Sequence, residues 1–149
     1  MTALDQDTWD DDATEEAPSQ LLNGHAVTVD PVELQWARFR DQFAEAMQDG
    51  LWTVEDLEEK ILTHRAFFFP GKNCACVGEI HIFPSGKKVM QFTWAVGDME
   101  ELVGMEPGVA AVCRLLGCDE TLVEGRAGWT KVLRPLGYEP FSVSLRKAL

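Results

Sequence analysis

The 149-residue sequence is short of positive charge: 13 lysines and arginines stand against 25 aspartates and glutamates, for a formal net charge of −12. Met1 to Gln20 holds no basic residue, while Asp5, Asp7, Asp10, Asp11, Asp12, Glu15 and Glu16 fall within it. The remainder, with 18 acids and 13 bases, is only mildly acidic. A surface of this sign repels phosphate backbones and anionic lipid, which argues against nucleic acid or a membrane as a direct partner. No apolar run approaches the roughly 20 residues that a bilayer span needs. The acidic start has neither the basic opening of a secretory signal nor the arginine-rich character of a transit peptide. Cysteine is sparse, and Cys74, Cys76, Cys113 and Cys118 lack the spacing of a secreted disulfide framework. A reducing cytoplasm is the expected compartment.

What the chain does have is enough apolar content, 46%, for one domain with its own core. Residues 1–22 read as an acidic arm, disordered alone or ordered by a partner, and residues 23–149 as the domain. Within the arm, Leu4 and Trp9 are possible anchors. The arm either solubilises the chain or folds onto another protein with Trp9 in a pocket.

Beyond the arm the periodicities change from element to element. A short strand covers His25 to Val29, and Asp30-Pro31 opens a helix with proline in its first turn. Val32, Trp36, Phe39, Phe43 and Met47 fall on one helical face, and Gly50 ends it. Thr53 and Asp56 begin a second helix that turns Val54, Leu57 and Ile61 inward. Ala66 to Phe69 is a strand, turned by Pro70-Gly71. Cys74, Cys76, Gly78, Ile80 and Ile82 then alternate with Val77, Glu79 and His81. After Pro84-Ser85-Gly86, Met90, Phe92, Trp94 and Val96 line one face of a longer strand. Asp98 caps a helix expected to bury Val109, Val112, Cys113 and Leu116, with Gly117 beyond its end. Thr121 to Glu124 is a short strand. Trp129, Val132, Leu133 and Leu136 make the inner face of another helix. Phe141, Val143 and Leu145 alternate with Ser142 and Ser144 in a last strand.

Two segments stand out in that order. “GDMEELVGMEP”, Gly97 to Pro107, runs from a strand into a helix, and “GRAGWTKVLRPLGYEP”, Gly125 to Pro140, closes a helix on the pair Gly137-Tyr138. With them, the chain from Val27 to Leu145 resembles the GCN5-related N-acetyltransferase (GNAT) family. More closely, it is similar to small GNAT-like proteins that tailed bacteriophages encode near their structural genes. The resemblance implies an α+β fold, a mixed, splayed β-sheet flanked by about four helices, behind the acidic arm.

The resemblance also implies where acetyl-transfer chemistry would reside. Members that use acetyl-CoA carry a Q/R-x-x-G-x-G/A turn whose backbone amides, at a helix N-terminus, hold the pyrophosphate. In this chain Gly97, Gly104 and Gly108 lack that spacing, and Asp98, Glu100, Glu101 and Glu106 bring carboxylates instead of Arg or Gln. A family tyrosine four residues before the Gly–aromatic pair protonates the leaving thiolate; that position is Leu133, and Tyr138 is expected to pack. Met90 to Val96 contains no acid or histidine to act as a general base. No catalytic or cofactor-binding residue is therefore assigned, and no cofactor.

The remaining reactive residues have blander readings. Glu79 and His81 share a strand face and could form a base with its orienting partner, but such alternation is the ordinary pattern of a solvated sheet face. Cys74 and Cys76 could both ligate a metal, yet a structural zinc needs four ligands and a second pair, so no metal site is expected and the cysteines read as small buried hydrophobes. Trp36, Trp94 and Trp129 fall on core faces. Trp52 suits a hydrophobic staple. Arg126 could bind an anion, or cap or pair within the helix start.

The sequence thus points to a non-catalytic, degenerate GNAT-like phage protein. Its role would be virion structure or assembly, with other phage structural proteins as partners, in the host cytoplasm or the particle. One alternative is an acyl-CoA-dependent N-acetyltransferase with an atypical cofactor loop. Another is an acidic host-takeover protein that captures a basic host factor.

Overall fold

The computed structural model describes residues 31–149 and, ahead of them, the backbone of the strands at 19–22 and 25–28. The arm's Leu4 and Trp9 lie outside the described residues. Strands β1 (Ser19–Leu22) and β2 (His25–Thr28) pair as an antiparallel hairpin. They are followed by α1 (Pro31–Ala46), α2 (Val54–Leu62), β3 (Phe67–Pro70), β4 (Cys74–Ile82) and β5 (Lys88–Gly97). The chain continues through α3 (Met99–Leu115), β6 (Glu120–Val123) and α4 (Gly128–Leu133), which runs into a 3₁₀ turn at Arg134–Leu136. The main sheet has the order β3-β4-β5-β6, antiparallel except for the parallel pair β5–β6. This is the expected mixed α+β architecture.

The sheet separates two cores. On one face α1 and α2 bury Trp36, Phe39, Phe43, Leu57 and Ile61 against Ala75, Val77 and Val96. The 3.6-residue apolar stripe of α1 dictates this, since Trp36, Phe39, Phe43 and Met47 all come out buried. The Trp36 indole N–H, buried with its ring, donates to Glu58 Oε2 at 2.7 Å. Glu58 in turn accepts from Arg40 Nε at 3.0 Å, so the polar atom carried into the core is paired. Thr53 caps α2 by accepting from the Asp56 N–H at 3.2 Å.

On the other face α3 covers Met90, Phe92, Cys76 and Ile80. The expected single face of β5 breaks in the middle. Trp94 and Val96 join the α1–α2 core, whereas Met90 and Phe92 face α3. The cause is a β-bulge: Val77 pairs with Trp94 and Gly78 with Phe92, so Thr93 has no opposite residue and the alternation reverses across it. Gly78 is the partner residue because a Cβ there would come within 2.8 Å of Met90 Sδ and 2.9 Å of Phe92 Cε1.

Three other expectations are corrected. Val112 of α3 is exposed rather than buried, and Leu136 lies at the surface; α3 contributes chiefly Cys113, with Val109 and Leu116 packed partly against the sheet. The last strand is absent: 137–149 carries no helix or strand, and Phe141, Val143 and Leu145 are 81, 85 and 93% exposed.

Candidate functional site

The parallel pairing of β5 with β6 ends where the bulge begins. β6 pairs with β5 only over Val89 to Phe92, and the last bond is from the Glu124 N–H to the Phe92 carbonyl at 2.9 Å. β6 ends at Val123 while β5 runs on to Gly97, so past Phe92 the parallel pair is open, a splay. A cleft of about 530 Å³ lies at the splay, within the ordinary size of a small-molecule site. Phe92 to Ala95 of β5 form one wall, Leu102, Met105, Glu106 and Val109 of α3 another, and Thr121, Val123, Trp129, Leu133 and Tyr138 the third. The lining is mainly apolar.

Its principal polar feature is a hydrogen-bonded group that joins three elements. Tyr138 Oη donates to Glu106 Oε2 at 2.9 Å, and with that proton committed the Thr121 hydroxyl donates to Tyr138 Oη at 2.8 Å. Tyr138 thus does more than pack: it ties α3 to β6 at the cleft wall. Burial pushes the phenol up to about 12, the Thr121 bond works against this, and the Glu106 carboxylate adds to the rise. Because the chain has one tyrosine, an ultraviolet titration of tyrosinate reads this residue alone. The expected midpoint is about 12 in the folded protein, and it should fall toward about 10 on unfolding in urea. The folded state holds the proton more tightly, so stability is undiminished below about pH 10 and declines as pH rises from there through the folded value.

The N-terminus of α3, where the resemblance places a pyrophosphate grip, is already occupied by the chain's own carboxylate. Asp98 Oδ1 accepts from the N–H groups of Glu100 at 2.9 Å and Glu101 at 3.2 Å. The Glu101 side chain reaches back to the β3–β4 turn and accepts from the N–H groups of Lys72 at 2.6 Å and Asn73 at 2.9 Å. Amides that an incoming anion would need are spent on Asp98, and the first turn carries Glu100 and Glu101 as well. Residues present here do not fit a pyrophosphate: it would have to displace one carboxylate and lie beside two more.

The other residues singled out from the sequence distribute as follows. Leu133 is buried at the cleft wall and has no proton to give. Arg126 is exposed at the cleft mouth. Trp129 is a cleft residue rather than a core one, its indole seated on Gly125, where a Cβ would come within 2.5 Å of it. Glu79 and His81 do line one hollow, about 190 Å³ on the α2 side of the splay, but no hydrogen bond joins them. Glu79 pairs instead with Lys60 Nζ at 3.4 Å. Lys60 also lies 4.7 Å from the centroid of the Trp52 ring and 3.6 Å from Asp56, so Trp52 serves as a cation–π partner. Thr93, Trp94 and Glu124 line both hollows. Cys74 and Cys113 are buried, Cys76 and Cys118 half-buried, and all four are free thiols. Burial raises Cys76 to about 12 and Cys74 and Cys113 to about 11, so none of these three is an activated nucleophile. Among the described residues no group of three or more His, Cys, Asp or Glu could hold a metal ion, and no helix is long and apolar enough to cross a membrane.

The cleft and the Tyr138 group were not read from the sequence. Two signals for them exist in it: Gly78 inside a strand pattern, which marks a bulge or close approach, and the disparity between a long β5 and a β6 of four residues.

No protein-family model matches the chain, and no curated protein matches it. Solved structures do. A probable acetyltransferase superposes with a TM-score of 0.58 at 12% identity, covering 78% of this chain and 91% of its own. An acetyltransferase of Trypanosoma brucei gives 0.57 at 10% identity, over 78% of this chain and 94% of that one. Glucosamine-6-phosphate N-acetyltransferase from Arabidopsis thaliana gives 0.56 at 12% identity, over 78% and 91%. At such identities the likeness establishes the fold, which is GNAT-like, and leaves activity to be argued from the site.

Proposed function

We propose that this chain is a non-catalytic protein of GNAT-like fold that acts by binding other proteins, as a structural or assembly component of a phage particle. One observation carries the non-catalytic reading: Asp98 fills the α3 amides with its own carboxylate. Leu133 at the expected proton-donor position points the same way. The virion reading rests on the sequence resemblance of “GDMEELVGMEP” and “GWTKVLRPLGY” to phage-encoded relatives, and on the acidic arm with Trp9, suited to other phage structural proteins in the host cytoplasm or the particle.

Titration calorimetry tests the first reading. Acetyl-CoA is expected to give no saturable heat; micromolar binding that is lost when the Asp98–Pro107 segment is changed would overturn it. Mass spectrometry of purified particles tests the second, with stoichiometric copies expected and absence counting against it. Asp98 also has a structural role that can be measured separately. Asp98→Ala should lower stability by about 1 kcal/mol, the usual cost of losing a side-chain cap, read as a shift in urea midpoint.

A second reading, an N-acetyltransferase with an atypical cofactor grip, draws on the Tyr138 hydroxyl at the cleft wall. A phenol held protonated by burial could protonate a departing thiolate. Acetyl transfer to an amine that disappears in Tyr138→Phe, with the fold intact, would favour it over the binding role.

A further inference from the structure

The segment that fails to form a strand is the most unsatisfied surface of the molecule. Phe141, Val143 and Leu145 are 81 to 93% exposed, and nothing among the described residues covers them. Its two ends are nevertheless fixed. Tyr138 is bonded to Glu106 and Thr121, and Arg146 Nη1 donates to the Asp49 carbonyl at 2.7 Å. The apolar stripe is therefore exposed between two tethered ends, and its alternation of period two suits a partner strand.

We infer that a second copy of this chain is that partner, with the two 139–147 segments pairing antiparallel about a two-fold axis at Val143. The pattern is self-complementary about that residue. Phe141 falls opposite Leu145 of the second copy, Val143 opposite itself, and Glu139 opposite Lys147, all on one face. Ser142 and Ser144 pair on the other face. Neither Glu139 nor Lys147 has an ion pair among the described residues, so both charges are available. A two-fold interface requires this kind of symmetry, since each residue must suit its own mirror position along the strand. Shifting the register by one residue would turn the apolar stripe away, and shifting by two would remove the charge pairing. The contact is small beside the roughly 1,200–2,000 Å² of stable interfaces, so association depends on concentration.

Sedimentation velocity on the full chain, followed up to about 1 mM, tests the inference. The wild type should dimerise reversibly and Val143→Asp should stay monomeric. Glu139→Lys and Lys147→Glu should each weaken the dimer by about tenfold, and the double exchange should restore it, because each charge pair occurs twice across the axis. Val143→Cys should cross-link to a covalent dimer under mild oxidation. All these positions are exposed, and unchanged circular dichroism verifies that each variant folds. A monomer at every concentration overturns the inference, including the case where the segment closes on the β6 edge of its own chain. So does a dimer indifferent to Val143→Asp, or one that the double charge exchange fails to restore.

Discussion

Gly97→Val is expected to cost at least about 3 kcal/mol, enough to unfold a domain of ordinary stability at moderate temperature. Gly97 ends β5 with φ +98°, a conformation that side-chain-bearing residues rarely adopt. Forcing one into it costs on the order of 1–3 kcal/mol by itself. A Cβ at this position would also lie 2.2 Å from the Asn73 carbonyl oxygen and 2.6 Å from Cys74 Cα. Those are backbone atoms of the neighbouring strand and cannot swing aside. Moreover, the Asn73 carbonyl accepts from the Asp98 N–H at 3.0 Å, so relief of the clash would pull on the cap of α3. The urea midpoint should fall steeply with the slope unchanged. Gly97→Ala within about 1 kcal/mol of wild type would contradict the close approach.

Phe43→Ala should cost about 3–5 kcal/mol. The ring is fully buried, stacked on Trp36 at 5.3 Å between centroids and set edge-on to Phe68 at 6.5 Å. Its removal leaves a void bounded by rings on α1 and β3 that are themselves packed and cannot collapse into it. Phe141→Ser makes the contrast, because it removes an aromatic ring of equal size at 81% exposure. In dilute solution it should leave stability within about 0.5 kcal/mol of wild type. A similar loss from both would mean that residues 141–145 are covered within the single chain, against the geometry described above.

Much of this molecule is legible in the linear order of residues. The apolar stripe of α1, the Thr53 and Asp98 caps and the alternation in β4 all come from neighbours within one turn or one pleat. For that reason the residue pattern places the helices and most strands where the structure has them. The carboxylates at the start of α3 are equally local, and their effect on an anion site could be argued from residue types alone. Asp98's actual use of its oxygens, on Glu100 and Glu101, follows from the same short range.

What escaped the sequence depended on partners far along the chain. The β5 bulge arises where Gly78 lets Met90 and Phe92 close over it, a fit between strands that no period-two pattern encodes. The β5–β6 pairing stops at that bulge, and the cleft is lined by the residues on either side of it. Tyr138 meets Glu106 across 32 positions and Thr121 across 17, so a residue expected to pack became a bridge. The C-terminal stripe shows the converse. Sequence alone determined its amphipathic alternation and its mirror symmetry about Val143, because both are properties of consecutive residues. Only the tertiary structure decided that no described strand takes it up: Tyr138 ties the start of the segment to β6 through the Thr121 side chain, while β6 pairs its backbone with β5.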